Sequence, residues 1–123
     1  MIELRKVIKD LLNETHLRVY FQLAPEETQT PYLTYDLTEV TDDGEGFQPI
    51  ALDVDGWDIP TDGDTTALET LMEAVNENLN KRSVITETMV GTFYLDRKIQ
   101  LQDEDKRIKR RKYIYEARLF GRS

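Results

Sequence analysis

Two segments of the chain repeat apolar residues every three or four positions, which is the spacing of one face of a helix. The first segment covers residues 2–13, and its apolar residues are Leu4, Val7, Ile8 and Leu11. The second follows residues 61–66, a turn that can supply helix caps, and its apolar residues are Leu68, Leu71, Met72, Val75 and Leu79. The sequence therefore predicts an N-terminal amphipathic helix and a second helix over about residues 64–80.

Elsewhere apolar and polar residues alternate with a period of two, the pattern of a strand that buries one face. This alternation predicts a pair of strands at residues 31–40 and 49–59, joined by an acidic loop at 41–48. In the second strand Gly56 interrupts the pattern, and Trp57 follows on the otherwise acidic side. We therefore expect a bulge or a bend at Gly56.

Three further segments complete the prediction. Residues 17–22 are rich in β-branched and aromatic side chains and predict a strand before the pair. Alternating segments on either side of the turn 102–106 predict a long C-terminal hairpin, whereas residues 83–91 fit either a loop or a short strand. The order is α-β-β-β-α-β-β, which predicts an α+β fold with a mainly antiparallel sheet and two helices packed on one face. A chain of 123 residues suits a single domain over residues 1–123.

The composition excludes several classes of protein. The chain has no cysteine, which rules out disulfides, thiolate metal sites and cysteine nucleophiles. It has no long apolar run of the kind that a signal peptide or a membrane span needs, so we expect a soluble, unexported protein without a membrane partner.

The charges are divided unevenly along the chain. Residues 1–96 carry a net charge of -14 and residues 97–123 a net charge of +6, which together give -8. An acidic majority of this kind repels phosphate and makes a nucleic-acid binder less favoured. Opposite charges at the two ends of the chain suit self-association by head-to-tail contacts, which should weaken with salt.

Candidate chemical sites are few. His16 follows the first helix without a second histidine or a cysteine, so it fits a helix end better than a catalytic or metal site. A calcium site is considered for five aspartates, Asp53, Asp55, Asp58, Asp62 and Asp64. Their segment does not have a glycine and a glutamate at the positions that a calcium loop needs. No glycine-rich phosphate loop is present. We expect no enzyme activity, no metal and no cofactor.

Two charged segments are candidates for partner contacts. The first is the basic run before the last strand, which fits a protein interface, a solvated hairpin end or a nucleic-acid surface, and its residues are Lys106, Arg107, Lys109, Arg110, Arg111 and Lys112. Strand alternation would divide this run between the two faces of the sheet. The second is the acidic loop, which fits a plain hairpin loop or a contact segment, and its residues of interest are Asp42, Asp43, Glu45 and Phe47.

Several of these features together resemble the tail terminator, or tail completion, proteins of long-tailed phages and prophages. They are Arg18-Val-Tyr20 after the first helix, Pro31-Tyr-Leu-Thr-Tyr35, the strand Asp53-Val-Asp-Gly-Trp57, the second helix and the basic C-terminal hairpin. The resemblance covers nearly the whole chain and rests on order and spacing. The chain departs from the pattern at Gly56, where a β-branched residue is more usual before the tryptophan.

The resemblance implies a structural, non-enzymatic virion subunit that is assembled in the bacterial host cytoplasm. Such a subunit forms a homo-oligomeric ring, often a hexamer, at the head–tail junction. There it stops growth of the tail tube, contacts the tail tube protein and the head connector or stopper protein, and lets DNA pass without specific binding. The loop at 41–48 would be one of its contact segments. The alternative is a small nucleic-acid-binding or regulatory module that uses the basic hairpin.

Overall fold

The computed structural model describes residues 2–39 and 48–121, with the side chain of Gln48 excepted. Two helices and six strands follow one another along these residues. In chain order they are α1 (Ile2–Asn13), β1 (Val19–Phe21), β2 (Tyr32–Glu39), β3 (Gln48–Asp58), α2 (Thr66–Leu79), β4 (Ser83–Ile85), β5 (Met89–Gln102) and β6 (Lys109–Gly121). The α+β class and the order of elements are as the sequence predicts, and the ambiguous segment 83–91 contributes the short strand β4.

The six strands form one sheet in the order β1-β2-β3-β6-β5-β4. Every neighbouring pair is antiparallel except β1 and β2, which run parallel. The parallel pair arises because residues 22–31 carry the chain back to the end of the sheet at which β1 begins. The predicted C-terminal hairpin is confirmed as β5 and β6, which pair from Met89↔Gly121 to Gln102↔Lys109.

Both helices pack on the same face of the sheet and form one hydrophobic core with it. The residues predicted for the apolar stripe of α2 are all buried, because α2 lies across β3, β6 and β5. The largest fully buried side chains are Tyr115, Phe93, Leu4, Ile8, Leu12, Leu33, Leu52, Leu68, Met72 and Leu79. We call this side the helix-covered face and the other side the open face, on which no helix lies among the described residues.

The expected bulge at Gly56 is wrong. Strand β3 pairs without interruption on both sides, and Gly56 lies opposite Leu33 on β2 and Arg111 on β6. Gly56 occupies a position of β3 that faces the helices, in step with the apolar residues before it. A Cβ atom at this position would lie 2.5 Å from Sδ of Met72 and 2.9 Å from a methyl group of Leu68. The glycine therefore allows α2 to approach the sheet closely. The register shift of the sheet lies instead between Leu95 and Arg97 on β5.

Helix α2 begins where the turn at residues 61–66 predicts a cap. The Oδ1 atom of Asp64 accepts hydrogen bonds from the backbone N–H and the hydroxyl of Thr66, at 2.9 and 2.6 Å. These bonds satisfy one of the backbone donors that the first turn of a helix leaves free. They also lower the pKa of the Asp64 carboxyl, chiefly through the hydroxyl.

Candidate interaction surfaces

The open face carries a row of aromatic rings that ends on an arginine. Strand register places Tyr32, Trp57 and Arg110 side by side on β2, β3 and β6. The Tyr32 and Trp57 rings stack with 6.0 Å between centroids, and the guanidinium of Arg110 lies 4.3 Å from the Trp57 ring centroid. Tyr20 meets Tyr32 edge-on, and the indole N–H of Trp57 donates to Thr34 Oγ1 at 3.0 Å. Each ring of the row therefore has an aromatic or cationic partner.

Below this row lies a nearly buried ion pair. Nε and Nη2 of Arg110 both contact Oδ2 of Asp55, at 2.7 and 2.6 Å, and Asp55 is only 5% exposed. Lys112 adds its Nζ at 3.9 Å from Asp55 and at 3.4 Å from Asp53. Burial raises the pKa of the Asp55 carboxyl, because desolvation of the carboxylate outweighs the attraction of Arg110 and Lys112. Arg110 and Lys112 thus pair with a nearly buried carboxylate on a face over which no helix lies among the described residues.

The basic run is divided between the two faces, as strand alternation predicts. Arg110 and Lys112 lie on the open face, whereas Arg111 lies on the helix-covered face and donates from Nε to Glu69 of α2 at 2.6 Å. These three cations of the run, and Arg107 in the β5–β6 turn, therefore already have carboxylate partners in the same chain. This pairing leaves them less available to phosphate than a solvated basic stripe would be.

The rest of the run belongs to the β5–β6 turn. Arg107 forms an exposed pair with Asp105, with 2.6 Å between Nη2 and Oδ2, which holds the pKa of Asp105 at about 2. Lys109 donates to the backbone carbonyl of Lys106 at 3.2 Å. Lys106 and Arg107 are exposed, so of the predicted basic residues they are the most accessible to a partner.

The tyrosines that follow the run are core residues rather than stacking surfaces for bases. Tyr113 is 5% exposed and donates to Glu73 at 2.7 Å, and Tyr115 is fully buried and donates to Asn76 at 3.0 Å. Burial is the main cause that raises the pKa of both hydroxyls. Both rings lie under α2 and are closed to a nucleic acid.

The other predicted site residues have different positions. Asp42, Asp43, Glu45 and Phe47 of the acidic loop lie outside the described residues. His16 follows α1 and donates from Nε2 to the carbonyl oxygen of Pro31 at 2.8 Å, which ties the helix end to the start of β2.

The aspartates considered for a metal are spread over separate structures. Asp53 and Asp55 belong to the open face, whereas Asp58, Asp62 and Asp64 accept hydrogen bonds from nearby backbone N–H groups. Within residues 2–39 and 48–121, no three histidine, cysteine, aspartate or glutamate side chains come close enough to hold a metal ion.

A groove of about 590 Å³ lies between the β5–β6 turn and the start of α2. Its lining is mostly polar and comprises Gly63, Thr65, Gln100, Leu101, Gln102, Asp103, Lys106, Ile108, Lys109 and Arg111. Lys106 and Lys109 both line this groove, so a partner that enters it can contact the two side chains together.

No helix in the described part of the chain is both long and apolar enough to cross a membrane.

The sequence did not single out the aromatic row or the exposed apolar residues at the sheet edges. A signal for the row was present, because Tyr32 and Trp57 both fall on the polar side of their strands' alternation. The edge residues Leu17 and Leu23 are each 84% exposed, and Ile85 is 69% exposed. Isolated apolar residues are common on surfaces, so only their position in the sheet makes them informative.

These features define a two-layer α+β protein whose aromatic row, ion pairs and exposed basic residues lie on its surfaces. No family model matches the chain. No curated protein matches it either. Among solved structures, a chain from the virion of a native gene transfer agent (GTA) particle has the same fold. The two chains are 14% identical with a TM-score of 0.70, and the match covers 91% of this chain and 90% of that chain.

Proposed function

We propose that the protein is a structural subunit of a phage-like virion and has no enzymatic activity. The observation that carries the proposal is the fold shared with a chain of the gene transfer agent virion, which extends over nine-tenths of both chains. Fold alone does not determine function. Support also comes from the sequence, whose resemblance to tail terminator proteins points to the same kind of particle.

The more specific proposal is a tail terminator that forms a ring at the head-proximal end of the tail tube. In this role the subunit ends tube growth, contacts the tube protein on one side and the head connector on the other, and lets DNA pass. The partner contacts that we propose include the acidic loop with Asp42, Asp43, Glu45 and Phe47. Lys106, Arg107 and Lys109 would act at the opposite end of the sheet, where the β5–β6 turn exposes them.

Arg110 and Arg111 have a different part in this proposal. Their carboxylate partners are Asp55 and Glu69 in the same chain. They therefore shape an interface from within, by holding Trp57 and α2 in place, rather than offering free charge to a partner.

The test is assembly of the tail tube protein from the same virion with and without this chain, followed by negative-stain microscopy. A terminator shortens the tubes in proportion to its concentration and adds a ring-shaped density at one end. A variant with Lys106→Glu and Arg107→Glu in the β5–β6 turn tests the proposed contact and should shorten the tubes less than the wild-type chain does. Arg118→Glu, a charge reversal on the open face, is the control and should act like the wild-type chain. Unchanged tube lengths and uncapped ends with the wild-type chain contradict the terminator role.

The nucleic-acid alternative predicts a different result. A gel-shift titration with duplex and single-stranded DNA at moderate salt should give no shifted band, because the tyrosines are buried and four residues of the basic run are paired with carboxylates. A discrete complex that Lys106→Glu abolishes would favour the nucleic-acid module.

A further inference from the structure

The sequence contains three Asp-Gly pairs, at residues 43–44, 55–56 and 62–63. In such a pair the backbone nitrogen of the glycine can attack the side-chain carboxyl carbon of the aspartate, because glycine has no side chain to block the approach. The first pair lies outside the described residues. The other two have the same chemistry in different surroundings, so the fold decides which of them reacts.

The pair at residues 55–56 is held in the middle of the sheet. Both residues pair with β2 on one side and with β6 on the other. The carboxylate of Asp55 is nearly buried and accepts a hydrogen bond from Nε of Arg110 at 2.7 Å. Ring closure requires rotation about the Cα–C bond of the aspartate, and the two neighbouring strands prevent that rotation. Asp55 should therefore remain an ordinary aspartate while the chain is folded.

The pair at residues 62–63 lies in the turn before α2, and both of its residues are exposed. Gly63 has a φ of 76°, and a Cβ atom at this position would meet no atom within 4 Å. The N–H of Gly63 donates to the carbonyl oxygen of Pro60 at 3.3 Å, which is a long hydrogen bond. The turn can therefore open locally while β3 and α2 stay folded.

The carboxyl group of Asp62 is already turned toward the following backbone. Its Oδ1 atom accepts a hydrogen bond from the N–H of Asp64 at 3.0 Å. This bond closes a small ring that contains both the carboxyl carbon of Asp62 and the nitrogen of Gly63. The two atoms that must join therefore lie on the same side of the chain.

We propose that Asp62 is a site of spontaneous isomerisation in the folded protein. The nitrogen of Gly63 loses its proton and bonds to Cγ of Asp62, and the carboxyl hydroxyl leaves with that proton as water. The product is a cyclic succinimide. Water then adds to one of the two ring carbonyls and breaks the bond between that carbonyl and the nitrogen. Addition at Cγ restores aspartate, whereas addition at the main-chain carbonyl gives isoaspartate.

Isoaspartate changes the turn in two ways. The main chain then runs through Cβ and Cγ of residue 62, which lengthens it by one carbon, and the former main-chain carbonyl becomes a free carboxylate. The hydrogen bond from Asp64 to a carboxylate of residue 62 is lost in its present form. Gly63 and Lys106 line the same groove, so the new carboxylate appears beside that groove.

The test is a peptide map of the full chain after incubation at neutral pH, below its unfolding temperature. Electron-transfer fragmentation distinguishes isoaspartate from aspartate at each position, although their masses are equal. We expect isoaspartate to accumulate at residue 62 to a level many-fold above that at residue 55. The same incubation in urea, which removes the sheet, should raise the level at residue 55 to that at residue 62.

Two variants at the exposed turn check the chemistry. Asp62→Glu keeps the charge but has to close a larger ring, so it should form no isomer at this position. Asp62→Asn should form the same succinimide with loss of ammonia, and its products are recognised by a change in mass. A methyltransferase specific for the free carboxylate of L-isoaspartate gives a second readout, and it should label aged Asp62→Glu less than the aged natural chain.

Two results overturn the proposal. One is a folded chain in which residue 62 holds no more isoaspartate than residue 55. The other is an equal acceleration of both positions by urea, because it means that the turn protects Asp62 as well as the sheet protects Asp55. Neither result depends on whether the chain ends tail tubes.

Discussion

The two faces of the sheet bury residues in different ways. On the helix-covered face, Phe93 and Leu52 are fully buried because α1 and α2 lie over them. On the open face, Asp55 is 5% exposed although no helix covers it among the described residues. Arg110 contacts its carboxylate directly instead, and the guanidinium of Arg110 in turn lies over the Trp57 ring. A sheet face can therefore exclude water with its own long side chains.

The difference suggests separate roles for the two faces. Apolar burial under the helices supplies most of the driving force for folding. The ion pair of the open face adds little net stability, because desolvation of its charges offsets much of their attraction. What it provides is order: Trp57 and Arg110 are held in place before any partner arrives. Tryptophan, tyrosine and arginine are the residues that most often dominate protein interfaces.

The largest expected contrast comes from two consecutive residues of β5 that point to opposite faces. Phe93→Ala should lower the free energy of unfolding by about 3–5 kcal/mol, because it leaves a cavity under α2. Tyr94 is 38% exposed and lies beneath Arg118. Tyr94→Ala should therefore lower the free energy of unfolding by less than about 1 kcal/mol. Urea denaturation of both variants measures the two values. Similar losses would mean that the open face contributes as much apolar burial as the core.

A second test removes the buried carboxylate of the open face. Asp55→Ala should lower the free energy of unfolding by about 2–4 kcal/mol, because it leaves Arg110 and Lys112 without their shared partner. A double-mutant cycle with Arg110→Ala isolates the coupling of the pair, which should exceed about 1 kcal/mol. The exposed pair Arg107–Asp105 is the control, and its cycle should show no measurable coupling. Additive effects of Asp55→Ala and Arg110→Ala would show that the pair contributes no specific interaction.

A third test adds volume to each face of β3. Gly56→Val should lower the free energy of unfolding by about 1–3 kcal/mol, because its side chain meets Met72 and Leu68. The matched change Ala51→Val places the same side chain on the open face of the same strand and should change stability little. Thermal unfolding followed by circular dichroism compares the two variants. Equal stability would show that α2 can move away from Gly56 without loss.

The smallest effect is the pH dependence of two carboxyl groups. Burial raises the pKa of Asp55 above its ordinary 3.8, so its contribution to stability falls as the pH rises from 3.8 through that raised pKa. Hydrogen bonds from Lys98 and then Tyr113 lower the pKa of Glu73, so its contribution is complete above 4.5 and is lost as the pH falls through the lowered pKa. Carboxyl NMR titration should place Asp55 above ordinary aspartates and Glu73 below ordinary glutamates. The reverse order would contradict the structure.

The positions of the helices and strands could be predicted from the sequence because their signals are local. The predicted strand 31–40 corresponds to Tyr32–Glu39, and the predicted helix 2–13 to Ile2–Asn13. Gly56 could not be interpreted in this way, because the atom that explains it belongs to Met72 on α2. A glycine that breaks an alternating pattern has the same local signature at a bulge and beneath a helix.

The sequence by itself determined every helix and strand except the ambiguous β4, and which side of each faces the core, since periodicity records these directly. Only the tertiary structure decided that β6 lies between β3 and β5, and hence what happens to the basic run. Arg110 pairs with a residue 55 positions away and Arg111 with one 42 positions away. Such pairs depend on strand order and register, which the spacing of apolar residues within one strand does not contain. For this reason Arg110 and Arg111 look like free positive charges in the sequence. In the fold, Arg110 pairs with a carboxylate on the open face and Arg111 pairs with α2.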